Sequence, residues 1–235
     1  MLVRLASDLQ YQRLLLGILL NKLRINCGIF PHVSGLHMDK LFYERKLYED
    51  GYRYICGVDE VGRGPLAGPV VCAAVIMPLN ELIDGVDDSK KLTAKRREKL
   101  DILIRERAIA YAICRVEPQV IDEINILQAT RLCMKNAVEK LSVKPDFVLT
   151  DGNMTLDISI PQQSVIGGDA ASYSIGAASV IAKVNRDALM DEYAKEYPFY
   201  AFEKNKGYGT AVHISAIKEH GLCPIHRRSF TKKWD

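Results

Sequence analysis

The sequence predicts an α/β domain, and three observations carry that expectation. Short apolar, β-branched runs alternate with longer stretches of helical periodicity along most of the chain. Glycine and proline cluster between those runs, where turns belong. The length of 235 residues, 48% apolar and 26% charged, is enough to bury a sizeable core.

Taken in order, residues 1–37 stand apart. They hold a leucine-rich, helix-like stretch followed by turn signals at Gly28, Pro31 and Gly35. We expect residues 1–37 to be an N-terminal extension, non-native or disordered, of unknown function, with the folded domain over 38–235 and Met38 a candidate natural start. The apolar run Leu14–Leu20 is broken by Lys22 and Arg24. A membrane-spanning helix needs about 20 apolar residues, so this run is too short. Asp8 and the lack of a clean small-x-small pattern argue against a signal peptide.

From Met38 to Gly51 the pairs Tyr43/Leu47 and Leu41/Tyr48 have helical spacing. Tyr52–Val58 and Val70–Met77 read as strands separated by a Gly/Pro-rich loop. Thr93 is a capping candidate for a helix over Thr93–Arg107, with Leu100, Leu103 and Ile104 on one face. Ala110–Val116 is a third strand, and Gln119–Leu141 is helical in two pieces. Asp146–Leu149 and Ser164–Ile166 are short strands. Ser172–Tyr197 is the longest helix, rich in alanine and ended by Pro198. Thr210–His220 is the last helix, closed by Gly221.

The net charge of +3 is small but uneven. Residues 203–235 carry seven Lys/Arg against three acids, while residues 38–202 carry 21 bases and 25 acids. An acidic centre with a basic tail fits a carboxylate site flanked by surface that attracts polyanions, although charge alone also fits an ordinary solvated surface. The six cysteines, Cys27, Cys56, Cys72, Cys114, Cys133 and Cys223, include no C-x-x-C pair. Neither a zinc site nor a disulfide framework is indicated, and a reducing cytoplasm is the expected location, with no membrane association.

The chemistry concentrates at strand ends. Asp59 and Glu60 follow an apolar strand and precede Gly62-Arg63-Gly64 and Gly68. Adjacent strand residues face opposite ways, so both carboxylates reach one site where the strand ends or bulges. The glycines permit close backbone approach to a ligand, and Arg63 is placed to meet a phosphate or sugar. Asp151 follows Phe147–Thr150, and Asp169 follows Val165–Gly168. Asp169 precedes the long helix, so a capping role is compatible with a ligand role. Four carboxylates gathered together would repel one another without a cation, and hard Mg²⁺ or Mn²⁺ matches oxygen ligands. Two such ions would clamp a phosphodiester.

The run Asp59-Glu-Val-Gly-Arg-Gly64 resembles the signature of type 2 ribonuclease H, the ribonuclease HII family. Asp88-Ser-Lys-Lys-Leu92, Thr150-Asp-Gly152, Gly168-Asp169, Ala177–Lys183, Asn205–Gly209 and Pro224–Arg227 join it in the family's order. Together they cover about 180 residues, from near Tyr52 to near Phe230. The resemblance implies a ribonuclease H-like fold, a mixed central sheet with helices on both sides and a C-terminal helical portion. It implies cleavage of RNA in RNA–DNA hybrids, and of duplex DNA 5′ to an embedded ribonucleotide, leaving 3′-hydroxyl and 5′-phosphate ends. It also implies a role in ribonucleotide removal during DNA repair and replication. Asp59, Glu60, Asp151 and Asp169 match the family's metal-binding catalytic acids. Gly62, Arg63 and Gly64 match the loop that reads the ribose 2′-hydroxyl, and Tyr208 matches the tyrosine that works with it.

Ser89, Lys90 and Lys91 resemble a phosphate-contacting segment, and Lys183 is a substrate-binding candidate against a merely solvated lysine. Ser172 and Ser174 read as helix caps. His226 and Arg227 are expected to brace the C-terminal portion, and His213 and His220 to lie at the surface. Two departures remove positive charge beside Asp169: Gly167 replaces a frequent lysine, and Ala171 a frequent basic residue. No clamp-binding peptide follows Phe230, so no clamp partner is expected; separately, the enzyme is expected to be a monomer. Two rivals remain, a general metal-dependent nuclease or phosphatase and a silent hybrid-binding module. Activity on all-DNA duplex marks the first, and salt-sensitive binding without turnover marks the second.

Overall fold

Strand β2 (Val70–Ile76) is buried along its whole length, and its alternating side chains divide the core. Cys72, Ala74 and Ile76 face one layer, while Ala73 and Val75 face the other. The computed structural model describes residues 39–86, 89 and 92–234; the N-terminal extension, Asp88, Lys90 and Lys91 lie outside these. A five-stranded sheet of order β3-β2-β1-β4-β5 runs through the centre. Here β1 is Ile55–Val61, β3 Ala110–Val116, β4 Phe147–Asp151 and β5 Gln162–Val165. β1–β2 and β2–β3 pair antiparallel, whereas β1–β4 and β4–β5 pair parallel. The sheet is therefore mixed, as expected.

Helices cover both faces. Helix α1 (Phe42–Glu49) precedes the sheet, and α2 (Ala94–Arg107) is capped by the Thr93 hydroxyl accepting from the Arg96 N–H. Leu100 and Ile104 of α2 are buried and Leu103 is half-buried, which is the face the spacing predicts. Helix α3 (Pro118–Glu139) is interrupted at Asn125, whose φ is 65°. The Asn125 carboxamide oxygen accepts from the Leu127 and Gln128 N–H groups, so it caps the second piece. α3 packs against Cys56, Val58 and Cys72 through Cys133, Met134 and Ala137.

The opposite face carries α2 and the longest helix among the described residues, α5 (Tyr173–Glu196). A short helix, α4 (Gly168–Ala171), precedes α5. The start of α5 presses so closely on β1 that a Cβ on Gly57 would lie 2.1 Å from the Ser174 carbonyl carbon. Glu44 of α1 anchors the same point, accepting from the Ser172 hydroxyl at 2.6 Å and the Ser174 N–H at 2.9 Å. A 3₁₀ turn at Pro198–Tyr200, α6 (Phe202–Asn205), α7 (Ala211–His220) and α8 (Arg228–Thr231) form the C-terminal portion. They pack on Leu66, Ala67 and Met190.

Apolar burial holds the frame. Ile76, Ile104, Met134 and Ile181 are wholly buried, each contributing roughly 1.5–3 kcal/mol over exposure. An exposed pair such as Arg45–Asp39 adds about 1 kcal/mol at most. No described helix is long and apolar enough to cross a membrane.

Candidate active site

Strands β1 and β4 deliver three acids to one end of the sheet. The parallel pairing of β1 with β4 ends at Val58↔Thr150, so the next residues, Asp59 and Asp151, emerge side by side. Carboxylate oxygens of Asp59, Glu60 and Asp151 all lie within 4.8 Å of one another. Of the strand end or bulge expected at Asp59–Glu60, the bulge is absent and the strand end comes one residue later, at Val61. β1 runs on to Val61 in unbroken register with β2, pairing Asp59 with Ala73 and Glu60 with Cys72. The Asp59 carboxylate folds back to accept from the Glu60 N–H at 2.8 Å, which offsets the alternation of the strand.

Asp169 is buried on α4, just beyond β5, and lies outside the group of three. The Gly168 N–H donates to Asp151 at 2.6 Å and ties that segment to the acids. Asp169 does not cap the long helix. Ser172 does so, its hydroxyl accepting from the Ile175 N–H, while Asp169 sits inside the separate short helix. Ser174 lies within the first turn of α5 and is not its cap.

Burial pushes the Asp59 carboxyl well above the usual carboxylate range, and the negative charges of Glu60 and Asp151 add to this. Burial lifts Glu60 to about 7, with Arg63 partly offsetting and Asp151 reinforcing the rise. Oε2 of Glu60 is buried without a hydrogen-bond partner, and Oε1 meets Arg63 at 3.5 Å. An orphaned carboxylate oxygen beside two other carboxylates is a costly arrangement that a divalent cation relieves. The donor set is all oxygen, so the residues fit a hard ion.

The loop beside the acids brings distant residues together. The Tyr208 ring, 46% exposed, lies 3.6 Å from the point where a Cβ on Gly64 would stand. Lys204 is exposed, but Lys206 is paired with Asp191. Lys183 is not a free solvated lysine, since its ammonium bonds Asp187 at 2.7 Å. Ser89 is buried rather than open to a phosphate, and its hydroxyl meets that of Ser179 at 2.8 Å.

His213 is wholly buried, not superficial; its Nε2 meets His226 Nε2 at 3.0 Å. The pair sits among Tyr200 and Phe202, where α7 folds back onto the C-terminal segment. His220 is exposed. His226 does brace the C-terminal portion, whereas Arg227 reaches further and bonds the carbonyls of Gly62, Arg63 and Gly68.

A mixed sheet with helices on both faces, carrying a partly buried carboxylate trio at the ends of parallel strands, defines a metal-dependent hydrolase of the ribonuclease H class. The family model for Ribonuclease HII matches residues 56–233. A Ribonuclease HII of Caldicellulosiruptor bescii is 54% identical over 189 residues, 80% of this chain and 92% of that one. A Ribonuclease HII of Acetivibrio thermocellus is 52% identical over 198 residues, 84% of this chain and 77% of that one. The crystal structure of the ribonuclease H2 from Pyrococcus horikoshii OT3 superposes with a TM-score of 0.66 at 27% identity, covering 77% of this chain and 96% of that one. The chain belongs to the ribonuclease HII family.

Sequence reasoning left Ser179 unassigned. Its hydroxyl bonds the Asp59 carboxylate and favours the ionised form, and Ser89 completes the chain of hydroxyls. The available signal was a lone hydroxyl in the apolar run Ala177–Ala182. Ser179→Ala is expected to weaken metal affinity by about tenfold or more, the usual effect of losing a residue that orients a ligand. Calorimetric Mn²⁺ titration checks this, and unchanged affinity counts against the role.

Proposed function

We propose that this enzyme hydrolyses the RNA strand of RNA–DNA hybrids and cuts duplex DNA on the 5′ side of an embedded ribonucleotide, leaving 3′-hydroxyl and 5′-phosphate ends. The observation that carries the reading is the apposition of Tyr208 to Gly64, next to Glu60 and its neighbours, because a general phosphodiesterase has no use for it. The loop Gly62-Arg63-Gly64 reads the ribose 2′-hydroxyl, and Tyr208 stacks against the sugar at the RNA-to-DNA junction.

Asp59, Glu60, Asp151 and Asp169 would hold two Mg²⁺ or Mn²⁺ ions, with Asp169 completing the set from α4. When bound, the ions supply an activated water and charge stabilisation of the leaving 3′-oxygen. Arg63 holds Glu60 from the substrate side, and Ser179 orients Asp59. Lys183, Lys90 and Lys91 belong to the substrate-binding side, whereas Ser89, being buried, supports Asp59. Lys183 acts through its pairing with Asp187, and Ser89 through Ser179. The catalytic domain is 38–235, and the enzyme works as a cytoplasmic monomer in ribonucleotide removal from DNA.

The test is cleavage of a labelled DNA duplex containing one ribonucleotide, with an all-DNA duplex alongside. A single metal-dependent cut 5′ of the ribonucleotide is expected, with the all-DNA duplex intact. Cleavage of both duplexes would leave a general nuclease, and cleavage of neither would remove the embedded-ribonucleotide reading.

A further inference from the structure

Two arginines, Arg186 of α5 and Arg227 ahead of α8, are wholly buried, and among the described residues neither forms an ion pair. Arg186 donates to the carbonyls of Pro69 at 3.1 Å, Ala67 at 3.1 Å and Lys206 at 2.9 Å. Arg227 donates to the carbonyls of Gly68 at 2.9 Å, Arg63 at 3.0 Å and Gly62 at 2.6 Å. All six acceptors are main-chain oxygens, and five belong to the loop that follows Glu60 and ends at Pro69. Burying two cations without a carboxylate in direct contact is expensive, and apolar side chains of similar volume would fill the space at less cost. What the guanidinium adds is a planar fork whose donors fix several carbonyls at once.

The sixth acceptor is the informative one. Lys206 lies two residues before Tyr208, so Arg186 joins the glycine-rich loop to the Tyr208 segment. The Leu66 N–H, donating to Gly207 at 2.8 Å, is a second tie between the same two segments. The spacing between Gly64 and the Tyr208 ring is thus set from beneath, by side chains that no substrate can touch.

We propose that Arg186 and Arg227 are positioning residues for substrate selection, holding the Gly62–Gly64 loop and Tyr208 at the one separation that favours an isolated ribonucleotide. This rests on the reading of those two segments as the ribonucleotide-recognising elements. Both arginines act through main-chain carbonyls and leave the carboxylates alone. Helical spacing accounts for the placement of Arg186. It follows Ser179 by seven residues and precedes Met190 by four, so all three lie on one buried face of α5.

The experiment compares Arg186→Lys, Arg227→Lys and Gly207→Ala with the unmodified chain. It reads kcat/KM on a single-ribonucleotide DNA duplex and on a uniform RNA–DNA hybrid, Mn²⁺ affinity, and amide hydrogen exchange of residues 62–69 and 205–209. Lysine's donors all leave one nitrogen, so it cannot span the carbonyls that each guanidinium reaches from three separate nitrogens. Each lysine variant is therefore expected to lower the ratio of the two kcat/KM values about tenfold, mainly through KM, since an ångström-scale misplacement is enough to do so. Exchange should speed up in both segments with Arg186→Lys, and Mn²⁺ affinity should stay unchanged. Equal losses on both substrates, or an unchanged ratio, would overturn the proposal.

Should a lysine variant fail to fold, Gly207→Ala decides. At φ +84° its Cβ would stand 2.4 Å from the Ala67 carbonyl oxygen, which forces the two segments apart without altering either arginine. A folded Gly207→Ala enzyme with an unaltered ratio also overturns the proposal. If the unmodified enzyme ignores the embedded ribonucleotide, the recognition reading fails. The exchange data still decide the clamp, since unchanged exchange in Arg186→Lys refutes it on any substrate.

Discussion

Asp59→Asn should abolish turnover while leaving the fold intact. The substitution keeps the shape of the side chain and its acceptor for the Glu60 N–H, but removes one of three mutually repelling charges. Loss of an ion ligand at the reacting phosphate is expected to lower kcat by at least roughly 10³-fold, since charge stabilisation supplies much of the rate. The metal-free protein should melt no lower than the unmodified chain, because a buried carboxylate that resists ionisation has been replaced by a neutral group. Single-turnover cleavage of an RNA–DNA hybrid, paired with thermal unfolding in a chelator, checks both halves. Retention of more than about a tenth of the activity would refute the assignment of Asp59 as a metal ligand. A large loss of metal-free stability would instead show that Asp59 is structural.

Acid should inhibit the enzyme through its metal site. Glu60 is lifted to about 7 and Asp59 well above the usual range, so at pH 6 a cation must displace protons to bind. Apparent affinity should fall about tenfold per pH unit for each proton displaced, and excess metal should restore activity. The metal-free protein should behave in the opposite sense. A carboxyl whose folded value is raised contributes stability that is fully present below its ordinary value of 4.5 and is lost as pH rises through about 7. For Glu60 this is at most about 3 kcal/mol.

The buried histidines pull the other way at lower pH. Burial depresses His213, and burial with the neighbouring His213 depresses His226 to about 4, so their contribution is lost as pH falls below about 6.5. The comparison therefore belongs between pH 6.5 and 8, unmodified chain against Glu60→Gln, both in chelator. The difference in melting temperature should widen as pH rises. A constant difference would show that Glu60 does not titrate in that window.

Much of the fold could be read from residue pattern. Ala110–Val116 forms a strand with those bounds because its burial alternates. The break in Gln119–Leu141 is real, and its cause is Asn125 capping its own downstream turn. The Thr93, Ser172 and Thr210 caps mark three helix starts, each through a hydroxyl accepting a main-chain N–H. Short elements were less legible. α4, α6 and α8 have four residues each, too few for periodicity to register. The sequence also offered a strand end or a bulge at Asp59–Glu60, since alternation argues against neighbours sharing a site. The strand ends at Val61 without a bulge, and the Asp59 side chain turns back toward the Glu60 N–H.

By itself the sequence determined the family, the α/β alternation, and which acids and glycines stand next to strand ends, because these are local or ordered along the chain. Tertiary structure alone decided what each buried polar group faces. His213 met His226, Ser179 met Asp59, and Arg186 and Arg227 met loop carbonyls rather than carboxylates. Those partners lie up to 165 positions apart. Hydrogen-bonding partners at that range are chosen by how the sheet and helices pack, and local pattern carries no record of that packing.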